Sequence, residues 1–458
     1  MKRTKVNIVV SSASTSTQLD ERTIMLSDAL MKKWKINPNS PVMLRYGAAR
    51  HEVRVVPTST AGILRLDATL ASQWGLINGD SLCVQYKSNV RYLYLGPLIG
   101  VLVSRYYAGN SEKPFGTVTA FCRELTDASK LYSSSVYFIT PNELGNSGDT
   151  IKGWRLTGGK WTKHTFPMPH VVYNRLTSRK LENMASVQQF FRHVKTHHNA
   201  ALFNEKYLNK TEVFEALNKE SSLHQYLPES HHLRNYQTLK DMCGKYRVVF
   251  LKPASGSLGK GIIRITRTSS QSYICHITNV NGARKQTYAN LSQLFSAFAG
   301  KIKQRRYQIQ QGVNLISVDG HPVDFRAVVQ RNELGQWVVT STVARIAGNH
   351  HFVSNLARGG SLSTVKEALA RSNSPTGTGG SLKLRKAALA IAKGIETNIP
   401  AHFAELGIDL AMDTQGNVWL LEVNSKPSKE DNAALSDEIK IRPSVKRVIQ
   451  YSRYAAKF

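Results

Sequence analysis

Gly407-Ile408-Asp409-Leu410-Ala411-Met412-Asp413, then Thr414-Gln415-Gly416-Asn417, then Val418-Trp419-Leu420-Leu421-Glu422-Val423-Asn424 reads as two strands around a four-residue turn. That turn sets Asp413 opposite Val418 and Asp409 opposite Glu422. Glu422 and Asn424 are two apart, so they point to one face. Directly opposed carboxylates repel. A hairpin that holds Asp409 against Glu422 therefore wants a cation between them. Asp409, Glu422 and Asn424 all offer oxygen, which suits Mg²⁺ rather than zinc. The plainer alternative, a solvated acidic face, fits poorly because Glu422 sits inside the apolar run Trp419 to Val423.

A second segment points toward phosphate. Arg247 to Pro253 is an apolar strand carrying Lys252 near its end, and Ala254-Ser255-Gly256-Ser257-Leu258-Gly259-Lys260-Gly261 follows. Ile262 to Ile265 is then a second apolar strand. Glycines let backbone N–H groups approach phosphate oxygens, and Lys252 at the base would neutralise their charge. The Walker pattern fails, because Ala254 stands at its first glycine and Gly261 at its Ser/Thr. The protein-kinase order fails too, since Lys252 precedes the glycines.

Working outward, residues 1–96 contain a duplication with a 40-residue offset. Ile24, Leu26, Leu30, Trp34, Ile36, Val42, Leu44 and Tyr46 return as Leu64, Leu66, Leu70, Trp74, Leu76, Leu82, Val84 and Tyr86. Ser27 and Asp67 stand where helix N-caps would. Two strand–helix–strand–strand copies predict a small pseudo-twofold β-barrel closing its own core. Residues 97–180 read as a βαβ unit with a hairpin turning at Gly158-Gly159. Residues 181–458 form the third segment, in which Leu384, Ala388, Ile391 and Ile395 share a helix face. The basic stretch from Lys440 to Lys457 reads as a solvated helical face.

Taken in order, these pieces resemble the ATP-grasp superfamily from Phe203 to Pro427. Tyr207-Leu208-Asn209-Lys210 resembles the start of the nucleotide-clasping subdomain, with Lys210 reaching the nucleotide. Lys252, Ser255, Gly256, Ser257, Gly259 and Gly261 resemble the phosphate clamp. Tyr307 to Val313 resembles the hinge that meets adenine, through Gln310, Gln311 and Val313. Asp324-Phe325-Arg326 resembles the Asp-x-Arg strand of the peptide-forming branch. Arg345 and the stretch from Asn355 to Gly360 fall into place with it, which implies Arg326, Arg345 and Asn355 as catalytic residues. Asp409, Glu422 and Asn424 fall on the metal-ligand positions. The full arrangement is most similar to the YheC/YheD endospore coat-associated family, through Phe203-Asn204, Tyr207 to Lys210, Phe250 to Pro253 and the basic, repeat-containing front half. Three departures stand out. Gln311 replaces a glutamate, no acid is placed for the ribose hydroxyls because Asp319-Gly320 reads as a turn, and Ser425-Lys426-Pro427 replaces a small residue followed by Ser-Pro.

The resemblance implies an α/β (α+β) chain: an ATP-grasp fold preceded by a duplicated β-barrel-like domain and a βαβ pre-ATP-grasp subdomain. It implies ATP and Mg²⁺ as cofactors and ligation of a carboxylate to an amine through an acyl phosphate. The alternative is a structural, polyanion-binding spore-coat protein with a retained nucleotide site. Lys and Arg outnumber acids by 61 to 31, a net charge of +30. That excess suits an acidic polymer or spore-coat proteins as partners. Specific nucleic-acid binding rests on charge alone, without a motif. No run of 18 apolar residues predicts a membrane span. The apolar stretch Val6 to Val10 is too short for a signal peptide, so synthesis and retention in the cytoplasm are expected, with spore-coat association. Four scattered cysteines support neither zinc nor disulfides.

Overall fold

The 40-residue repeat builds a closed barrel. After β1 (Thr4–Val10), the first copy supplies β2 (Thr23–Ser27), α1 (Asp28–Trp34), β3 (Pro41–Tyr46) and β4 (Ala49–Thr58). The second supplies β5 (Ile63–Leu66), α2 (Ala68–Gln73), β6 (Ser81–Lys87) and β7 (Tyr92–Gly96). The strands run β1-β5-β2-β4-β3-β7-β6, and β6 pairs back to β1. Strand alternation sends Ile24, Leu26, Val42 and Leu44, with their equivalents Leu64, Leu66, Leu82 and Val84, to the buried interior. Asp67 caps α2 by accepting from the Thr69 and Leu70 amides. Ser27 occupies the same position before α1 but makes no side-chain cap bond, its side chain being buried.

In the computed structural model the described residues are 4–11, 19–38, 40–145, 148–253, 261–268, 272–279, 282–304, 306–348, 360–374, 379–429 and 441–458. They divide into two units. One comprises Met1–Lys206, Arg331–Gln336 and Asn432–Phe458, the other Tyr207–Gln330 and Trp337–Asp431. This division differs from the three-segment expectation. The barrel does not close a core of its own, because Leu98, Tyr137, Phe166, Met168 and Val172 continue its buried cluster. A Cβ on Gly75 would lie 2.4 Å from the Phe166 ring, and the half-buried Arg155 guanidinium bonds both Asp80 and the Gly75 carbonyl.

The first unit continues with β8 (Leu98–Leu102), α3 (Thr119–Leu131), β9 (Ser135–Ile139), β10 (Thr150–Thr157), β11 (Lys160–Pro167) and β12 (Val171–Asn174). Then come α4 (Arg179–Glu182), α5 (Ala185–Thr196) and β13 (Ala201–Phe203). The sheet order is β11-β10-β9-β8-β12-β13, so this sheet extends past residue 180. β8 and β9 are buried at every position, as parallel strands covered on both faces require.

The second unit carries two sheets. α6 (Lys210–Leu217), β14 (Ser230–His232), α7 (Tyr236–Lys245), β15 (Val248–Pro253), β16 (Ile263–Arg267), β17 (Tyr273–Asn279), β18 (Gly282–Tyr288), α8 (Leu291–Gln304) and β19 (Tyr307–Gln311) form the first part. Its strands are ordered β14-β19-β15-β16-β17-β18. Val249, Leu251, Ile263, Ile265, Cys275 and Ile309 form its apolar face, clustered with Leu239 and Met242 of α7 and Leu294 and Phe298 of α8. The second part holds β20 (Ser317–Val318), β21 (His321–Arg331), β22 (Trp337–Ile346), β23 (Ser361–Ser363), α9 (Val365–Ala370), α10 (Gly380–Asn398), β24 (Glu405–Met412) and β25 (Val418–Asn424). Its order is β23-β22-β21-β24-β25, with β20 beside β21. Leu384, Ala388, Ile391 and Ile395 of α10 are buried on one stripe, as their spacing predicts.

The last helix, α11 (Pro443–Ala455), corrects the expectation of a solvated basic face. Val445, Val448, Ile449 and Tyr451 are buried. Arg442 Nε donates to Glu124 at 2.8 Å, and Arg447 to Glu333 at 2.6 Å. The periodicity was masked by the many basic residues, of which Arg442 and Arg447 are paired with acids while Lys457 is exposed. All four cysteines are buried and free. Among the described residues, no helix is long and apolar enough to cross a membrane.

Candidate functional site

The β24–β25 hairpin brings Asp409 opposite Glu422, the register expected, but by another route. Met412, not Asp413, pairs with Val418, so the turn has one residue more. A bulge between Asp409 and Leu410 absorbs the offset and leaves Leu421 without a direct partner. Asp413 belongs to the turn. Its carboxylate accepts from the Gln415 and Asn417 amides, from Asn417 Nδ2 and from Trp419 Nε1. That is a sufficient structural reason for an aspartate there.

The two opposed carboxylates are neutralised by side chains. β21 lies against β24 with Arg326 directly opposite Asp409. Arg326 holds Asp409 through Nε and through an Nη2 bond of 2.8 Å. Arg345 on β22 bonds Asp324 at 2.5 Å and lies 3.1 Å from Asp409. All four side chains are buried. Burial alone would raise the Asp409 carboxyl, but Arg326 and Arg345 outweigh it and hold the group well below the usual carboxylate range. Against its own burial, Arg345 is held protonated above its ordinary value by Asp409 and Asp324. Two arginines and two aspartates thus form one balanced network. The sequence expectation of Arg326 and Arg345 as catalytic residues did not include it, nor did it give Asp324 a role.

Glu422 is paired with Lys210, Nζ to Oε1, at 3.0 Å, with side chains 12 % and 30 % exposed for Lys210 and Glu422. Lys210 is the first residue of α6, whose N-cap Asn209 accepts from the Glu212 amide at 2.8 Å. The preceding turn is tied to the residues after β25. The Leu208 amide donates to Ser425 Oγ at 3.2 Å, and Lys426 Nζ lies 4.3 Å from the Tyr207 ring centroid. The departure Ser425-Lys426-Pro427 therefore has local work. Ser425 and Lys426 receive the Tyr-Leu-Asn-Lys segment, and Pro427 packs where a Cβ on Gly407 would approach it to 2.7 Å. Asn424 pairs with Gly407 on β24.

Lys252 approaches the same place from the other sheet. β15 pairs with β16 at Leu251–Ile263 and with β19 at Lys252–Gln308, so the glycine-rich stretch joins two paired strands. Ser255, Gly256, Ser257 and Gly259 lie outside the described residues, as does Asn355. Gly261 has φ +76°, a left-handed value that a side chain would strain. The Lys252 ammonium bonds Gln310 Oε1, whose amide donates to Ser230 Oγ at 2.9 Å. Burial, and after it Lys210, lowers the Lys252 pKa to about 8, while Glu422 and Asp409 act in the opposite direction. Lys210, Lys252, Glu422 and Asp409 thus share one electrostatic neighbourhood.

In the hinge, Gln311 Oε1 accepts from the Glu229 amide at 2.8 Å, a bond a glutamate could also accept. Gly312 lies against Val248, and Val313 beyond it is half-buried. Asp319-Gly320 is the expected turn between β20 and β21. A buried pair that the sequence reading passed over is Glu405 with Lys429, joined by Gln330 at 2.7 Å. Glu405 reads as an ordinary strand acid until its partner 24 residues on is placed.

Among the described residues no group of three His, Cys, Asp or Glu forms a metal cluster. The oxygen donors at the hairpin are two carboxylates and an amide. A family model described as YheC/D like ATP-grasp matches residues 199–455. The endospore coat-associated protein YheD of Bacillus subtilis (strain 168) is 28 % identical over 338 residues, covering 74 % of each chain. YheC of the same organism is 23 % identical over 319 residues, 67 % of this chain and 84 % of that one. Among solved structures, the VanG D-Ala:D-Ser ligase of Enterococcus faecalis has a TM-score of 0.48 at 11 % identity, covering 78 % of this chain and 99 % of its own. The D-cycloserine synthetase DcsG has a TM-score of 0.45 at 11 % identity, covering 79 % and 99 %.

Proposed function

This chain belongs to the YheC/D-like ATP-grasp family, and from that premise we propose that it is an ATP- and Mg²⁺-dependent carboxylate–amine ligase working through an acyl phosphate. The observation that carries the proposal is the meeting of Lys252, Glu422 and Asp409 from both sheets of one unit with Lys210 of α6. A substrate carboxylate oxygen attacks the γ-phosphorus of ATP, the bond to the β-phosphate oxygen breaks, and ADP leaves. An amine nitrogen then attacks the acyl carbon. Phosphate departs with the C–O electron pair, and the amine loses a proton.

In this reading Lys252 and Lys210 offset charge on the phosphates. Gln310, Gln311 and Val313 border the adenine, and the glycine-rich stretch with Ser255 and Ser257 is the phosphate-binding sequence of this reading. Arg326 and Arg345 fix Asp409, and a guanidinium with five N–H donors can also meet a phosphoryl oxygen. Asn355 is the third catalytic residue of the same reading. Asp409, Glu422 and Asn424 are hard oxygen donors that would hold Mg²⁺, which would supply positive charge to offset that of the phosphates. For Glu422 this means exchanging Lys210 for the metal. The names of the relatives extend the proposal to work at the spore coat.

ADP release, measured across amino acids, short acidic peptides and cell-wall precursors, tests the proposal. ADP formed with one acceptor class and not the others supports the ligase. The charge of +30 favours a second reading, a polyanion-adhering protein with a retained nucleotide site. Binding of Mg-ATP without ADP release from any acceptor would favour that one.

A further inference from the structure

Residues 242–318 hold twelve lysines and arginines and not one aspartate or glutamate. This stretch supplies β15 to β19, and the register shows where part of its charge goes. Phe250 pairs with Arg264, Arg264 with His276, and His276 with Lys285, on four successive strands. Directly opposed residues share a face. Their chain neighbours Val249, Leu251, Ile263, Ile265, Cys275 and Ile277 are buried in the core beneath. The row therefore lies on the opposite face, the one that carries Lys252 two residues beyond Phe250. With strands about 4.8 Å apart, it runs for roughly 15 Å from Phe250 to Lys285.

Two further observations ask for an anion. Arg264 Nε is buried without a hydrogen-bond partner, which leaves a charged donor unsatisfied. Burial lowers the Arg264 pKa, and burial, then Arg264, then Lys285 lower that of His276. Like charges on adjacent strands destabilise a sheet, and none of these strands has an acid to relieve them. Aromatic stacking, which single-stranded nucleic acid uses, is nearly absent: the row has only Phe250, whose ring lies 5.9 Å from Lys252 Nζ.

We propose that this face docks an acidic polypeptide segment, with its carboxylates along Arg264, His276 and Lys285 and one carboxylate delivered beside Lys252. The docking stands on the charge and register alone, while the delivery step rests on the ligase reading. The experiment uses the full chain, a labelled oligoglutamate peptide and no nucleotide, with affinity read by fluorescence anisotropy over a range of salt. Arg264→Gln with Lys285→Gln should weaken the peptide at least about fivefold and flatten its salt dependence. Lys285→Gln alone, at an exposed position, should weaken it in the same direction without changing the melting temperature. In parallel calorimetry, a non-hydrolysable ATP analogue with Mg²⁺ should bind parent and variants equally. Unchanged peptide affinity in the double variant overturns the proposal. So does an oligodeoxythymidylate that displaces the peptide and suffers the larger loss, because the face would then be a nucleic-acid site. Failure of the parent to bind the nucleotide analogue overturns the ligase reading but leaves the peptide result standing.

Discussion

Replacing Lys252 by methionine removes one charge and keeps most of the stem. Burial and Lys210 bring the ammonium from 10.5 to about 8, a gap that corresponds to about 3 kcal/mol at about 1.4 kcal/mol per pH unit. The unfolded chain binds this proton more tightly, so stability rises with pH between about 8 and 10.5. Below pH 8 the charged lysine costs the fold the whole amount. The lost bond to Gln310 returns about 1–1.5 kcal/mol in the other direction. Lys252→Met should therefore stabilise the unliganded protein by about 2 kcal/mol at pH 7 in urea denaturation, and by little near pH 10.5. Nucleotide binding should show the counterpart. Phosphates favour the charged lysine, so at pH 8, where it is half protonated, Mg-ATP should take up about half a proton. Calorimetry in two buffers of different ionisation heat measures this, and Lys252→Met should abolish the uptake while weakening binding. A variant less stable than the parent at pH 7, or an uptake that survives the substitution, would refute the reasoning.

Asp409→Asn leaves two buried arginines with one aspartate, and urea denaturation should show a loss of about 3–5 kcal/mol. Because the Asp409 carboxyl is held low, its contribution is present above the usual carboxylate range and fades as pH falls through that range. Acid titration of the parent should therefore lose more stability below about pH 4 than titration of the variant. Glu422→Gln removes the partner of Lys210 and should cost less than about 1 kcal/mol without ligand. It should also erase most of the rise in melting temperature given by Mg-ATP, and a full rise would take Glu422 out of the site. Gly407→Ala drives a methyl into Pro427 and should destabilise by about 1–3 kcal/mol, with Pro427→Ala in the same chain recovering part of it.

The elements that the sequence displays most clearly are those whose pattern is local. The repeat in residues 24–86, the α10 stripe and the Asp409–Glu422 opposition all depend on spacing within one or two elements. The bulge beside Leu421 was not readable, since nothing distinguishes that leucine from Leu420 before the strands are paired. The two departures in the hairpin offset each other, which is why the opposition was placed correctly from an incorrect turn. What engages the carboxylates was less legible. Arg326 and Asp409 are 83 residues apart, and Lys210 and Glu422 are 212 apart. No periodicity spans such distances, so the acids looked unpaired and a metal seemed the sole relief. The C-terminal helix failed for another reason: its arginines hid an apolar stripe, and their acceptors Glu124 and Glu333 lie in distant segments.

The first unit is interrupted, with Tyr207–Gln330 and Trp337–Asp431 assigned to the second. The bond from Arg442 to Glu124 spans 318 residues. At about 5–20 residues per second, a ribosome takes roughly 16–64 s between making the two partners. Helix α3 must wait through that interval for α11, while the whole of the intervening unit is translated. The unit begun first is thus the one finished last. A nascent chain stalled between residues 431 and 443 would carry every residue of the candidate site while its first unit still lacked its last helix. Its fate would be set by chaperones and proteases rather than by its capacity to hold a nucleotide.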